Sequence, residues 1–382
     1  MINSPWHWKD IALAIAITLM GAWLRWGAVT QLKVDYDEPI YLYAARHYAT
    51  AFQKQDWSAL TSYTANKEHP PFHKIVYAAV IALFVPQAEK IAVPRHSQTY
   101  AQIPTAAFAV GRITSFVLSI SLLFIISLLV PIAGVFIALN TYIIKYTSQI
   151  YLDALPLLTG AICCLAYIRS QRKFNRWSVL SAIMLGMTAA SKYIYCVVGI
   201  AILIDWLLAT ISEQNSWDLR KALTATLPIW GWGLLSLVVF FALNPYLWPD
   251  PWGRLQESVG FNIAYSHGKH VASVGFPWYQ PFIWLSKGIP WHPGVIFTRA
   301  EPLVLILGII GIFPLWKRQR VVVLWWLIGM IFLLLWNTKW PQYIVAIAVP
   351  VALCAAAGTT FLYSRLRRFF KQPAQPHTNY IA

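Results

Sequence analysis

The sequence predicts an all-α polytopic membrane protein, and three observations predict it. Of its 382 residues, 58% are hydrophobic and only 12% are Asp, Glu, Lys or Arg, with a mean hydropathy of +0.54, outside the usual soluble range. The apolar residues gather into runs near the length a helix needs to cross the hydrocarbon core, roughly twenty residues. Positive charges outnumber negative ones 30 to 14 and sit in short loops between those runs, as the positive-inside rule expects; this placement argues against nucleic acid as the partner. Cys163, Cys164, Cys196 and Cys354 fall inside apolar runs, so neither a disulfide framework nor a zinc spacing is supported.

About ten runs qualify as spans, at approximately 10–29, 106–130, 131–150, 153–169, 177–191, 194–211, 222–243, 301–316, 321–337 and 341–363. The first is read as a retained helix, since no small-residue cleavage site follows it. Three basic clusters set the orientation: Arg169, Arg172, Lys173 and Arg176; Lys317, Arg318 and Arg320; Arg365, Arg367, Arg368 and Lys371. All three are expected in the cytoplasm. That requires the stretch 72–85, about fourteen residues between Pro71 and Pro86, to lie in the interface; were it to span, the count would be eleven and the first cluster would face outward. Both termini are then cytoplasmic, and two long loops, 30–105 and 244–300, share the outer face. Residues 1–371 form one transmembrane domain, and 372–382 a polar tail expected to be disordered.

Inside the first outer loop, Ile40, Ala44, Tyr48 and Phe52 share one helical face with Tyr41 and Ala45 beside them, opposite Arg46, Thr50 and Gln53. This is the pattern of an amphipathic interfacial helix. The second loop is rich in aromatics, with Asn244-Pro245-Tyr246-Leu247-Trp248 and then Trp252, Trp278, Trp284 and Trp291, which suit both a bilayer interface and the apolar face of a sugar.

Ionisable groups within or beside the spans are functional candidates by default. Arg25, Arg112, Lys145, Asp153, Lys192 and Lys339 all fall toward the outer side, and only Asp205 lies toward the inner half. Taken singly, each is explained by snorkelling or an ion pair. Together the cations suggest a shared outer cavity for a phosphate-bearing anion. Two motifs stand out beside them. Val34-Asp35-Tyr36-Asp37-Glu38-Pro39 follows the first span, where the acids serve equally as helix-start residues or as chemistry. Glu68-His69-Pro70-Pro71-Phe72 opens the short interfacial stretch, where two prolines entering a helix are also ordinary.

The two motifs in this order resemble the GT-C membrane glycosyltransferases, in particular the group of protein O-mannosyltransferases and the lipid A aminoarabinose transferase. In that group an Asp-Glu pair in the first outer loop, matched by Asp37-Glu38, precedes a Tyr-rich amphipathic helix, matched by Tyr41, Tyr43 and Tyr48. An acidic residue, a His or Lys and two prolines follow, matched by Glu68 to Pro71. Weaker similarities continue through Gly111-Arg112, Tyr151-Leu152-Asp153, Ser191-Lys192-Tyr193 and Lys339-Trp340-Pro341-Gln342-Tyr343. The resemblance spans nearly the whole chain, without the Trp-Trp-Asp-Tyr-Gly motif of oligosaccharyltransferases.

The resemblance implies a GT-C-like helix bundle and an inverting transfer of a sugar from a polyprenyl-phosphate carrier to a lipid, glycan or protein hydroxyl, on the outer face of a bacterial plasma (inner) membrane. Asp37 is the implied general base. Glu38, Glu68, His69, Arg112, Asp153, Lys192, Tyr193, Lys339 and Tyr343 are the candidates for holding donor phosphate or sugar, with His69, Lys192, Tyr193 and Arg112 at the leaving phosphate. A divalent metal is considered because Glu68 would repel a phosphate, with Glu68 and His267 as ligands and His270 and His292 as further candidates. The competing readings are a transporter, a lipid-linked-sugar flippase or a non-catalytic assembly subunit; the absence of repeated halves weighs against transport.

Overall fold

The computed structural model describes residues 7–64, 66–85, 105–213 and 219–371. The expected tail 372–382, and 86–104 of the first long loop, lie outside the described residues. Seventeen α-helices, three short 3-10 helices and no strand occur among the described residues. Helix α1 is Trp8–Gln31, followed by α2 (Asp37–Gln53), α3 (Trp57–Ser62) and α4 (Phe72–Phe84) in the first long loop. Helices α5 (Thr105–Leu129), α6 (Pro131–Leu139), α7 (Thr141–Tyr146), α8 (Ala154–Ser170), α9 (Arg176–Ser191), α10 (Val197–Glu213) and α11 (Leu219–Ala242) run through the bundle. The second long loop carries α12 (Pro251–Ser266), α13 (Lys269–Val274) and α14 (Gln280–Ser286), and α15 (Glu301–Arg318), α16 (Arg320–Leu335) and α17 (Val345–Lys371) complete the chain. Trp8–Gln31, Ala106–Leu129, Tyr193–Ser212 and Pro341–Phe370 are each long and apolar enough to cross a membrane, and shorter apolar helices lie beside them.

One expected span is not a single helix. The run 131–150 starts with Pro131 at the first turn of α6, breaks at Asn140 and restarts as α7, where the Asn140 side chain caps by accepting from the Ile143 N–H (2.9 Å). Asparagine favours a cap over a helix interior for this reason. The break frees the last carbonyls of α6, and Arg25 takes them: its guanidinium donates to Ile137 O (3.0 Å) and Ala138 O (3.3 Å), to Gly21 O, and to Ser119 Oγ (2.8 Å). Arg25 is fully buried, so its charge serves the orphaned helix end rather than a ligand.

Other ends are set equally locally. Asn175 caps α9 with a reciprocal Ser178 bond, and Asp250 caps α12 ahead of Pro251. Helices α15 and α17 run parallel in close contact because both are glycine at the crossing: a Cβ at Gly311 would lie 1.7 Å from Cys354 O, and one at Gly358 2.0 Å from Leu307 O. Small residues at such a crossing let backbones approach where lipid gives no hydrophobic drive for helices to associate.

The basic loops meet at one end. Buried Asp205 of α10 accepts from Arg172 Nε (3.2 Å), Arg320 Nε (2.8 Å) and the Tyr167 hydroxyl (2.7 Å), so the α8–α9 and α15–α16 connections share a face. Asp153 and Arg169 lie at opposite ends of α8, whose seventeen residues extend about 25 Å. The long-loop helices therefore pack at the end away from the basic clusters. There α2 buries Tyr41, Leu42, Ala44, Ala45 and Tyr48 and leaves Thr50 and Gln53 exposed, the expected amphipathic split. In the second loop Trp252 and Trp278 are exposed, whereas Trp284 is buried against Tyr142 and Trp291.

Candidate active site

Five carboxylates gather at this end, and four of them have partners. Glu38, wholly buried, receives Arg112 Nε (2.9 Å) and Nη2 (2.7 Å), the backbone N–H groups of Asp35 (2.9 Å) and Ile150 (2.8 Å), and Gln149 Nε2 (3.2 Å). Arg112 in turn donates to Val29 O, Leu32 O and Lys33 O. The pair ties the end of α1 to α2, α5 and the loop before α8. Every guanidinium donor is used. Glu38 and Arg112 thus form a structural knot.

Asp35 pairs with Lys145 Nζ (2.6 Å), whose ammonium also lies over the rings of Tyr146, Tyr151 and Trp291. Asp153, wholly buried, accepts Lys192 Nζ at both oxygens (2.8 and 2.9 Å) and the Tyr195 hydroxyl (2.8 Å). The Glu68 carboxylate accepts from the Asn66 amide.

Asp37 differs. It is the first residue of α2 and half-buried, and its carboxylate has no hydrogen-bond partner among the described residues. A helix N-terminus favours a carboxylate's charge. Burial nevertheless wins: it pushes Asp37 up to about 6, reinforced by the negative charges of Asp35 and Asp153 and opposed by Lys192 and Lys145. Tyr41, one turn along α2, is buried and likewise raised well above its usual value, by burial first and then by Asp37.

His69 faces Tyr41 edge-on (centroids 5.9 Å). Burial first, then the cations Lys192 and Lys74, hold its pKa well below the usual histidine range. A histidine so held offers a hydrogen bond rather than a charge. Lys192 gives two of its three ammonium protons to Asp153 and lies 5.7 Å from the Tyr343 ring centroid. Tyr193 points elsewhere, to Ser258 Oγ of α12 (3.1 Å). Lys339 donates to Leu333 O (2.7 Å), Leu334 O (2.9 Å) and Trp336 O, closing the C-terminal end of α16. Such capping of a helix C-terminus by a lysine satisfies its last carbonyls.

The set of unusual cations is thus not a ring of free charges around one cavity. Arg25, Arg112 and Lys339 are consumed by backbone carbonyls and Glu38, and Lys145 by Asp35. Lys192, whose charge acts on both His69 and Asp37, gives two hydrogen bonds to Asp153 and has one ammonium proton to spare.

The residues considered as metal ligands each have protein partners in this structure. Among the described residues no group of three or more His, Cys, Asp or Glu side chains could hold an ion. His267 is bonded through Nδ1 to Ile263 O and through Nε2 to Asn337, while Glu68 is bonded to Asn66.

Sequence reasoning missed the part played by α12. Arg254, Ser258 and Asn262 recur every four residues on one face and bond Thr61 O, Lys67 O and Glu68 O across the first long loop, with Glu257 paired to Lys67. That polar stripe within an aromatic loop was the available signal. Asp35 belongs to the first acidic motif, but its partner Lys145 is 110 residues away.

The architecture has counterparts among solved structures. ArnT from Cupriavidus metallidurans bound to undecaprenyl phosphate matches over 94% of this chain and 61% of its own, at 18% identity and a TM-score of 0.51. The same protein in the apo state gives 18% identity, the same coverage and a TM-score of 0.50. The S. cerevisiae protein O-mannosyltransferase Pmt1–Pmt2 complex bound to the sugar donor matches 64% of this chain and 34% of its own, at 16% identity and a TM-score of 0.48. The chain thus spans about three fifths of the length of ArnT and one third of the matched Pmt chain. No family model matches the sequence, and no curated protein does. With apolar helices of spanning length and the ArnT arrangement over nearly its whole extent, the chain has the GT-C fold of an integral membrane protein.

Proposed function

We propose that the chain is a glycosyltransferase that moves a sugar from a polyprenyl-phosphate carrier to a hydroxyl acceptor on the non-cytoplasmic face of the membrane, with Asp37 as general base. The observation that carries this reading is the contrast at the site: Glu38, Asp35, Asp153 and Glu68 each have a hydrogen-bonded partner, and Asp37 alone is left with an open carboxylate tuned to about 6. A base works best when its pKa lies near the operating pH. The fold supports the choice of donor, since the ArnT structure that shares it holds undecaprenyl phosphate.

In the proposed step the acceptor hydroxyl gives its proton to Asp37 as its oxygen bonds the anomeric carbon. The carbon–oxygen bond to phosphate breaks on the opposite face, inverting the configuration, and the electron pair leaves with the polyprenyl phosphate. The free ammonium proton of Lys192 and an N–H of neutral His69 meet that growing charge. Asp153 and Tyr195 hold Lys192 in place, and Tyr343 and Tyr41 wall the site. The acceptor is a lipid, glycan or protein hydroxyl. Both termini and the Asp205 clamp lie on the cytoplasmic face of a bacterial inner membrane, as the basic loops favour.

The test is purified protein incubated with a panel of polyprenyl-phosphate sugars, following release of polyprenyl phosphate. Asp37→Asn is expected to lose about 10²–10⁴-fold in turnover while remaining folded and still binding the donor. Full activity in Asp37→Asn, or retention of anomeric configuration in the product, would refute the scheme.

A further inference from the structure

The turn Asn66–His69, which carries Glu68 and His69 to the site, is held in an unusual way. All four of its consecutive carbonyls accept hydrogen bonds from side chains outside the turn. Lys74 Nζ donates to Asn66 O (2.9 Å) and His69 O (2.8 Å) from α4, while Ser258 Oγ donates to Lys67 O (2.8 Å) and Asn262 Nδ2 to Glu68 O (2.9 Å) from α12. The third ammonium proton of Lys74 goes to Asn66 Oδ1 (3.1 Å), and the Asn66 amide continues to the Glu68 carboxylate. Asn66 itself sits in the left-handed region (φ 57°), a conformation asparagine tolerates better than most residues.

Lys74 is 1% exposed, burial lowers its pKa to about 7 against the opposing charge of Glu68, and as an ammonium it spends all three protons on the turn, with none left for a ligand. Among the described residues no carboxylate pairs with it. An ammonium buried against neutral carbonyls is a costly choice where an apolar side chain would fill the space. The cost is explained if orienting the turn matters more than stability.

We propose that Lys74 is a positioning residue for the transfer reaction: by gripping the carbonyls on either side of Lys67-Glu68, it fixes the direction of the His69 imidazole toward the leaving phosphate. The inference rests on the reading given under Proposed function. Lys74 acts through His69 and touches neither donor nor acceptor.

The experiment is a double-mutant cycle of Lys74→Met and His69→Ala, read as kcat and KM for donor consumption, with hydrogen exchange of the segment 63–71 measured in the same proteins. Lys74→Met is expected to lower kcat about 10–100-fold with little change in KM, to speed exchange in the turn, and to cost less than about 2-fold further in the His69→Ala background. Equal losses in both backgrounds would overturn the proposal, because Lys74 would then act independently of His69. Unchanged exchange in the turn would overturn it as well, whether or not the donor is consumed. A wild-type protein that consumes no donor refutes the glycosyltransferase reading, and with it the role of Lys74 in transfer. If Lys74→Met does not fold, Asn262→Ala loosens the same turn from the opposite side and is expected to show the same non-additivity with His69→Ala; additive losses there overturn the proposal equally.

Discussion

The tuned Asp37 makes the pH dependence of turnover the sharpest test of the site. A carboxylate at its usual value of 3.8 is almost wholly ionised at pH 5, whereas one raised to about 6 is about nine-tenths ionised at pH 7 and only about one-tenth at pH 5. With Asp37 as the base, kcat/KM therefore falls about eightfold to tenfold between pH 7 and pH 5. A glycosyl phosphodiester does not titrate in that range, so the limb belongs to the protein. Neighbours assign it. Asp35 raises Asp37 through its negative charge and Lys145 lowers it through its positive one. Asp35→Asn should move the acidic limb down, and Lys145→Met should move it up. The two variants break the same ion pair, so a structural disturbance would shift both the same way. The assay is release of polyprenyl phosphate from protein in nanodiscs between pH 4.5 and 8. A wild-type profile flat down to pH 5, or parallel shifts in the two variants, would refute the assignment of Asp37 as base.

Other consequences follow from the same contacts. Because folding raises the Asp37 pKa, the folded state binds its proton more tightly than the unfolded chain, and stability falls as pH rises from about 4 to about 6. Asp37→Asn removes this penalty and should stabilise the protein at pH 8 by at most about 3 kcal/mol, less whatever solvent already screens; a lower melting temperature than wild type in detergent would contradict it. Arg112→Met leaves Glu38 buried without its cation and should destabilise by about 3–5 kcal/mol; an unchanged melting temperature would show that the knot is not structural. The orientation is tested by cysteine labelling, since the four native cysteines are buried or half-buried while Tyr36 and Lys173 are exposed. Tyr36→Cys should react with an impermeant maleimide in intact cells and Lys173→Cys only after permeabilisation; reaction of both, or the reverse pattern, would overturn the sidedness.

The helices were legible because hydrophobic run length is a local property, and so was the amphipathic α2, whose buried Tyr41, Ala44, Ala45 and Tyr48 share the face read from spacing. The break at Asn140 was not, since an apolar run on either side hides a cap that only Arg25, far along the chain, makes tolerable. The same limit governs the site. Which cations were free could not be read from sequence, because Arg112, Lys145 and Lys339 find partners through folding, two of them across long separations and one by turning back on its own helix end. Spacing could place Glu68 and His69 together, but not show that Lys74 and α12 grip the turn between them.

The distribution of partners gives the site its logic. Five acidic side chains lie near one another in a low-dielectric setting where like charges repel strongly, and each of three is matched to one cation: Glu38 to Arg112, Asp35 to Lys145, Asp153 to Lys192. Were one more cation free, it would pair with Asp37 and drop its pKa out of the useful range. Were one fewer present, a second raised carboxylate would compete for the same proton. The pairing therefore leaves Asp37 both uncommitted and only moderately basic. Because Lys192 gives two hydrogen bonds to Asp153, in the proposed reaction its remaining proton would be available to a departing phosphate without pairing with Asp37. A site for simple phosphate capture would need the cations and could do without an unpaired acid; the unpaired acid is what points to proton removal from a hydroxyl.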